Sequence, residues 1–233
     1  MFEFLKRLFS REGAATPKAP ERAPPPRPAA TAPAPASGQR LSDADRGEIV
    51  QQIRLLAAAG FDTREEIREA AEYFVASPAE LPAPDRAWIA EEVGRAVADK
   101  RVMESGWPAA TDFDRLDAVF DTLNDRGVIA LHRAGTTQHE GQEEIAEAWR
   151  ARSDPGRVVG YVFYHGQDVE RVIETGELWL SYGAVEGSPE TPQGVAAIVV
   201  AALARVGFNV AAPPNVDTRI CIKGLAWRKR SPF

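Results

Sequence analysis

Residues 41–107 place apolar side chains at intervals of three and four residues, which is the period of an amphipathic helix. Ser42 is a suitable cap for a first helix, and Thr63 with Glu66 forms a capping box for a second. Asp85 is the expected cap of a third helix, after a proline-rich break. The pattern predicts a small all-helical subdomain.

After residue 107 the pattern changes to short β-type runs that alternate with helical segments. The expected elements are a helix capped by Thr111, a strand at 128–131, a helix at about 142–150, a strand at 158–164, a helix at 168–174, a strand at 178–182, a helix at about 193–206, and strands at 208–211 and 219–222. The tight connection at Pro213-Pro214-Asn215 favours antiparallel pairing of the last two strands. Residues 108–233 are therefore predicted to form an α+β (or α/β) domain with about five strands in a mixed sheet packed with helices.

The first 40 residues differ in composition from the rest. Residues 1–10 form a short amphipathic segment, which fits either a disordered start or a weak membrane anchor that tethers an adaptor to the inner leaflet. Residues 11–40 are rich in proline and alanine and predict a disordered linker. We expect a cytoplasmic protein, with peripheral attachment to the inner membrane as the alternative.

Charge is distributed unevenly along the chain. Residues 1–40 carry seven Lys/Arg and three Glu, so their net charge of +4 leaves −10 for residues 41–233. Nucleic-acid binding is not expected, because phosphate contacts need basic surface. Cys221 is the only cysteine, which excludes an intrachain disulfide and a cysteine-based zinc site. A lone cysteine in a short apolar strand is typical of a core position.

A polar turn lies where a predicted strand meets a helix. Tyr164 ends this strand and His165, Gln167 and Asp168 follow it, a position where α/β proteins often bind ligands. His165 titrates near neutral pH, and the helix N-terminus offers amides for an anion. A purely structural interpretation also fits, in which Asp168 caps the helix and Gly166 supplies a positive φ.

A second polar segment follows the strand at 128–131. His139 and Glu140 could join His165 and Asp168 as metal ligands or as an acid/base cluster, since both segments follow strands. The spacing does not match HExxH, because Glu143 stands where the second histidine would be. No metal or cofactor is predicted.

Several segments together resemble an uncharacterised bacterial family, a domain of unknown function found largely in actinobacteria. The similarity covers most of residues 45–230, and its segments are Trp107-Pro108, DFDRLDAVFDTLNDRGVIA, GQEEI, GYVFYHGQD, LWLSYGA and LAWRKR. The resemblance implies no assigned activity. It implies a Cys-Cys-x-x-Cys-Gly stretch after the first strand of many relatives, where this chain has Thr136, Thr137, Glu140 and Gly141. Redox or zinc-ribbon chemistry at that place is therefore not expected here.

These observations favour a non-catalytic binding or regulatory module that uses the sheet edge around His139, Glu140, His165 and Asp168 for a protein partner or small ligand. A metal-assisted hydrolase built on the same four residues is the alternative, and a membrane-tethered adaptor is a further one. The patterns leave open the ligand, the oligomeric state and whether His139 and His165 converge.

Overall fold

The computed structural model describes residues 40–75 and 81–233. The predicted amphipathic segment at 1–10 lies outside the described residues, as does all but the last residue of the predicted linker. The described residues divide into two compact units. One unit contains Ala110–Trp227. The other contains residues 40–75 and 81–109 together with Arg228–Phe233. The last six residues thus group with the helices, whereas the sequence pattern placed them in the α+β domain.

The helical unit contains three helices, α1 (Asp43–Ala59), α2 (Arg64–Val75) and α3 (Ala83–Ser105). Their apolar stripes form one buried cluster, which includes Ile49, Ile53, Ile67, Ile89 and Val93. Burial of such aliphatic side chains is the main stabilising contribution to a small bundle. The three helices expected from the periodicity are all present.

Asp85 is not the cap of α3. The helix begins at Ala83 after Pro82, and Asp85 lies in its first turn with a fully buried side chain. Its carboxylate accepts hydrogen bonds from the Leu41 backbone N–H at 3.3 Å and from the Arg46 guanidinium at 3.0 Å. A buried carboxylate needs such partners, so Asp85 joins the start of α1 to α3 instead of capping the N-terminus of α3.

The α+β unit consists of four helices, five strands and one short 3₁₀ turn. In chain order they are α4 (Asp112–Asp125), β1 (Val128–Leu131), α5 (Gln138–Ala151), the 3₁₀ turn (Pro155–Arg157), β2 (Gly160–Phe163), α6 (Gly166–Thr175), β3 (Glu177–Ala184), α7 (Pro192–Arg205), β4 (Asn209–Val210) and β5 (Ile220–Lys223). The five strands form one sheet in the order β1-β2-β3-β5-β4. β1 and β2 are parallel and the other neighbours are antiparallel, which confirms both the mixed sheet and the expected β4–β5 pairing.

Helix α5 begins four residues before the expected start at Gln142, because Thr137 caps it and forms a capping box with Glu140. Gly141 obscures this start in the sequence, since glycine inside a helix weakens the periodic signal. The glycine is required by packing: a Cβ at this position would lie 2.3 Å from Cε2 of Phe163. Helix α5 therefore approaches the sheet as closely as it does only because residue 141 has no side chain.

Alternation along β2 separates the two faces of the sheet. Tyr161 and Phe163 pack with Ile129 and Ile145 in a cluster that covers the face beneath α5. The parallel pairing of β1 with β2 brings the carboxyl ends of both strands to one edge. In the part of the chain that the structure describes, no helix has both the length and the apolarity needed to cross a membrane.

Candidate functional site

The connections that follow β1 and β2 interlock at this edge through their backbones. The N–H of Ala134 donates to the Tyr164 carbonyl at 2.9 Å, and the N–H of Gly166 donates to the Gly135 carbonyl at 2.9 Å. The N–H of Gln167 adds a longer bond of 3.3 Å to the Thr136 carbonyl. The connections after β1 and β2 are 30 residues apart in the sequence and were considered as parts of one site. In the structure they are in contact.

Two carboxylates of α5 accept hydrogen bonds from backbone N–H groups of the connection that follows β1. Glu140 accepts hydrogen bonds from the backbone N–H groups of Thr136 at 2.6 Å and Thr137 at 3.1 Å. Glu144 accepts one from the Gly135 N–H at 2.8 Å. The backbone hydrogen bonds from Thr136 and Thr137 lower the pKa of the Glu140 carboxyl. Glu140 is therefore occupied in ordering a loop and is a poor general base.

The N-terminus of α6 does not present free amides to an anion, contrary to the expectation from the sequence. The N–H groups of Gly166 and Gln167 are both directed at carbonyls of the β1 connection. Gly166 also lacks the expected positive φ. A Cβ on this glycine would lie 3.3 Å from Cα of Thr136, so the position is governed by the close approach of the two backbones.

Asp168 occupies the third position of α6 and is almost completely buried. Its Oδ2 accepts a hydrogen bond from the His165 N–H at 3.1 Å, which stabilises the helix start from inside the first turn. The guanidinium of Arg219 donates to both carboxylate oxygens, at 2.9 and 2.5 Å, and to the backbone carbonyl of Trp179 at 2.7 Å. Asp168 is thus an ion-pair partner that links α6 to the start of β5.

His165 is 6% exposed, and its Nε2 lies 3.2 Å from Oδ2 of Asp168. Burial lowers the pKa of this imidazole, and the charges of Arg219 and Arg171 lower it further, while Asp168 and Glu140 oppose the shift. We assign the single proton of the neutral ring to Nε2, where Asp168 accepts it. Nδ1 is then a lone-pair acceptor, and it has no hydrogen-bond partner among residues 40–75 and 81–233.

A cleft of about 410 Å³ opens beside the interlocked connections. Its lining consists of Gly135, Thr136, Glu140, Glu143, Glu144 and Glu147. His139 lies nearby on α5, but its side chain is 78% exposed and its Nε2 faces Glu143 Oε1 at 3.5 Å. The structure therefore pairs His139 and His165 with different carboxylates, one at the surface and one in the interior.

The alternative of a metal-assisted hydrolase finds no ligand set in this arrangement. Within the described residues, no three His, Cys, Asp or Glu side chains are grouped so that they could hold a metal ion. Asp168 is bound by Arg219, and Glu140 is bound by backbone amides. Asp168 contacts His165, whereas His139 faces Glu143, so the four residues do not form the single cluster that the sequence hypothesis required.

A family comparison agrees with the resemblance seen in the sequence. The sequence model of the family described as a domain of unknown function, DUF6891, matches residues 42–231. The chain belongs to the DUF6891 family. No curated protein and no solved structure matches it significantly. The DUF6891 match spans both units, and the family description assigns no activity that could be carried to the site.

Tyr164 lies in the interior of the DUF6891 domain. It is fully buried, and its Oη is 2.7 Å from Nδ1 of His132, whose Nε2 is 3.1 Å from Asp117. Burial raises the pKa of the Tyr164 hydroxyl well above its usual value, and the negative charge of Asp117 adds to the shift. His132 stacks on Phe120 with ring centroids 4.3 Å apart, and this chain of polar contacts runs from the buried Tyr164 to the exposed Asp117.

Sequence reasoning missed Arg219 and Ser181 as members of the site. Arg219 is 51 residues from Asp168, so no local spacing could reveal their pairing. Ser181 is buried in β3, and its hydroxyl donates to Oε1 of Gln138 at 2.9 Å. The one signal that could have indicated Arg219 is its charge at the first position of the last predicted strand, 219–222.

Proposed function

We propose that the α+β unit is a non-catalytic binding module that uses the edge at the carboxyl ends of β1 and β2. The observation that carries this proposal is the imidazole of His165, buried at this edge with Nδ1 unpartnered within the described residues. Buried polar atoms are nearly always hydrogen-bonded to protein groups or to ordered water, so this nitrogen is a position that a ligand could occupy in place of water.

The interlocked backbone bonds support this assignment because they make the edge rigid. A binding surface that is ordered before its ligand arrives loses less conformational entropy on binding. The cleft lined by Gly135 and Thr136 is a concave surface beside the same connections. The exposed side chain of Gln167 supplies a polar group at the rim. His139 is left out of this surface, because its imidazole is turned to Glu143.

The occupied state of the carboxylates supports binding over catalysis. A general base needs a free lone pair within reach of the substrate. Asp168 gives its oxygens to Arg219 and to the His165 N–H, and Glu140 gives one oxygen to two backbone amides. The partner is therefore a protein or small molecule that is held and released unchanged.

NMR spectroscopy of the full-length protein tests the proposal. We expect a panel of small carboxylates, amides and amines, each at millimolar concentration, to include compounds that shift the amide signals of residues 134–140 and 164–168. His165→Gln should abolish these shifts, whereas His139→Gln should leave them in place. A panel that shifts no signal at this edge, or shifts that survive in His165→Gln, would contradict the proposed function.

A further inference from the structure

We propose that His165 and Arg219 together form a carboxylate-binding site that takes up one proton when it is occupied. This inference rests on the proposed function and specifies its ligand class. A carboxylate is held by the Nε–H of Arg219 and by a protonated Nδ1–H of His165. The proton that Nδ1 gains comes from solvent, and it returns to solvent when the ligand leaves.

Both nitrogen atoms belong to side chains that meet at one carboxylate oxygen. Nε2 of His165 lies 3.2 Å from Oδ2 of Asp168, and Nη2 of Arg219 donates to the same oxygen at 2.5 Å. Nε of Arg219 and Nδ1 of His165 are both buried and lack hydrogen-bond partners within residues 40–75 and 81–233. The Arg219 side chain is one-quarter exposed, so a ligand approaches along that side chain and must move it aside to reach the two buried nitrogen atoms.

The available donors fit a carboxylate better than a phosphate. One guanidinium N–H and one imidazolium N–H match the two oxygens of a carboxylate. A phosphate is usually held by several backbone amides at a helix N-terminus. At α6 the first two of these amides, from Gly166 and Gln167, already donate to carbonyls. The remaining two nitrogen atoms are too few for a dianion.

The charges that face His165 explain why the proton and the ligand arrive together. Asp168 and Arg171 approach from α6, Arg219 from β5 and Glu140 from α5. Burial and the two arginines keep the empty site's imidazole neutral, so Nδ1 offers a lone pair that would repel a carboxylate. A bound carboxylate adds one negative charge, which favours the imidazolium. By linkage, protonation of His165 must strengthen carboxylate binding by the same factor.

NMR titration of the full-length protein with acetate tests this coupling, with acetamide as the neutral probe of the same shape. Above pH 5.5 we expect acetate, at constant ionic strength with chloride, to raise the pKa of His165. We expect the acetate Kd to weaken roughly tenfold between pH 6 and pH 8, as one linked proton allows up to tenfold per pH unit. Acetamide should cause neither effect. A Kd for acetate that does not change with pH would overturn the inference.

Two substitutions separate the roles of the side chains. His165→Gln keeps a polar group beside Asp168 but cannot titrate, so acetate binding should weaken and lose its pH dependence. Arg219→Lys keeps the charge but removes the Nε–H, so binding should weaken at both pH values. His139→Gln is the matched control and should behave as the unmodified protein. Unchanged acetate binding in either His165→Gln or Arg219→Lys would overturn the inference.

The source of the carboxylate is distinguished by two peptides of the same sequence, one with a free and one with an amidated carboxyl terminus. Tighter binding of the free form than of acetate indicates a chain end, and equal binding indicates a small acid. Amides or amines that shift the edge while acetate does not would retain the binding module and reject the carboxylate site. No response to any compound would reject both.

Discussion

The guanidinium of Arg219 donates two hydrogen bonds to the carboxylate of Asp168, across 51 residues of sequence. The Asp168 side chain is 2% exposed and that of Arg219 is 25% exposed, so the pair is largely removed from water. A charge-assisted pair with two parallel bonds fixes the relative position of its elements. The start of β5 and the start of α6 are therefore joined at the point where His165 is held.

Loss of the Arg219 side chain should destabilise the α+β unit strongly. Arg219→Leu leaves Asp168 as a buried charge without its main partner, and breaking such a pair costs about 3–5 kcal/mol. Urea denaturation followed by tryptophan fluorescence measures the loss. Adding Asp168→Asn to Arg219→Leu should restore part of the stability, because the uncompensated charge is then gone. A double variant as unstable as the sum of the single ones would contradict this explanation.

Gly141→Ala should destabilise the same unit by forcing α5 away from the sheet. The added Cβ would meet the ring of Phe163 at 2.3 Å, and overpacking of this kind costs about 1–3 kcal/mol. Gly156→Ala is the matched control, since a Cβ there has no neighbour within 4 Å and should change the free energy of unfolding little. Equal effects of the two substitutions would show that the contact with Phe163 is not limiting.

Acid should release the β1 connection from α5. The pKa of Glu140 is lowered by the backbone hydrogen bonds that it accepts, so its stabilising effect is present above the unfolded pKa of about 4.3 and is lost as the pH falls through the lower native value. The amide proton shifts of Thr136 and Thr137 should titrate with a midpoint below about 4.3. Glu140→Gln should remove this titration, and its persistence in that variant would assign it to another carboxylate.

The helical unit should become more stable as the pH rises above 8. Lys100 is buried, donates to the Ala58 carbonyl at 3.0 Å, and its pKa is lowered to about 8, chiefly by desolvation. The unfolded chain, with an ordinary lysine pKa near about 10.4, binds more protons between these values, so the free energy of unfolding increases with pH across this window. The shift corresponds to roughly 3 kcal/mol at most.

Lys100→Met provides the control for this pH dependence. Thermal unfolding monitored by circular dichroism between pH 7.5 and 10 should show a rising Tm in the unmodified protein and a flatter profile in Lys100→Met. Lys223→Met, at an exposed position of the other unit, should keep the rise. A falling Tm in the unmodified protein would mean that another group governs stability in this range.

The local signals of the sequence predicted the elements well and the site only in outline. Ser42 and Thr111 cap their helices, as expected from the sequence, because a cap depends on residues only three positions away. Two predictions were wrong, the role of Asp85 as a cap and the start of α5 at Gln142. Both positions are governed by contacts with residues far away in the sequence. Burial against Leu41 and Arg46 decides the role of Asp85, and contact with the Phe163 ring decides the need for glycine at 141.

The sequence by itself determined the order and type of the elements, because helical and strand periods are local properties. The parallel pairing of β1 with β2, which brings the two polar connections to one edge, was decided by the tertiary structure. Only the tertiary structure decided that Arg219 forms an ion pair with Asp168 and that backbone amides donate hydrogen bonds to Glu140. It also decided that Nδ1 of His165 is left without a partner among the described residues. These outcomes depend on contacts between residues far apart in the chain. Burial in the folded structure determines which polar groups need a hydrogen-bond partner and which partner is within reach.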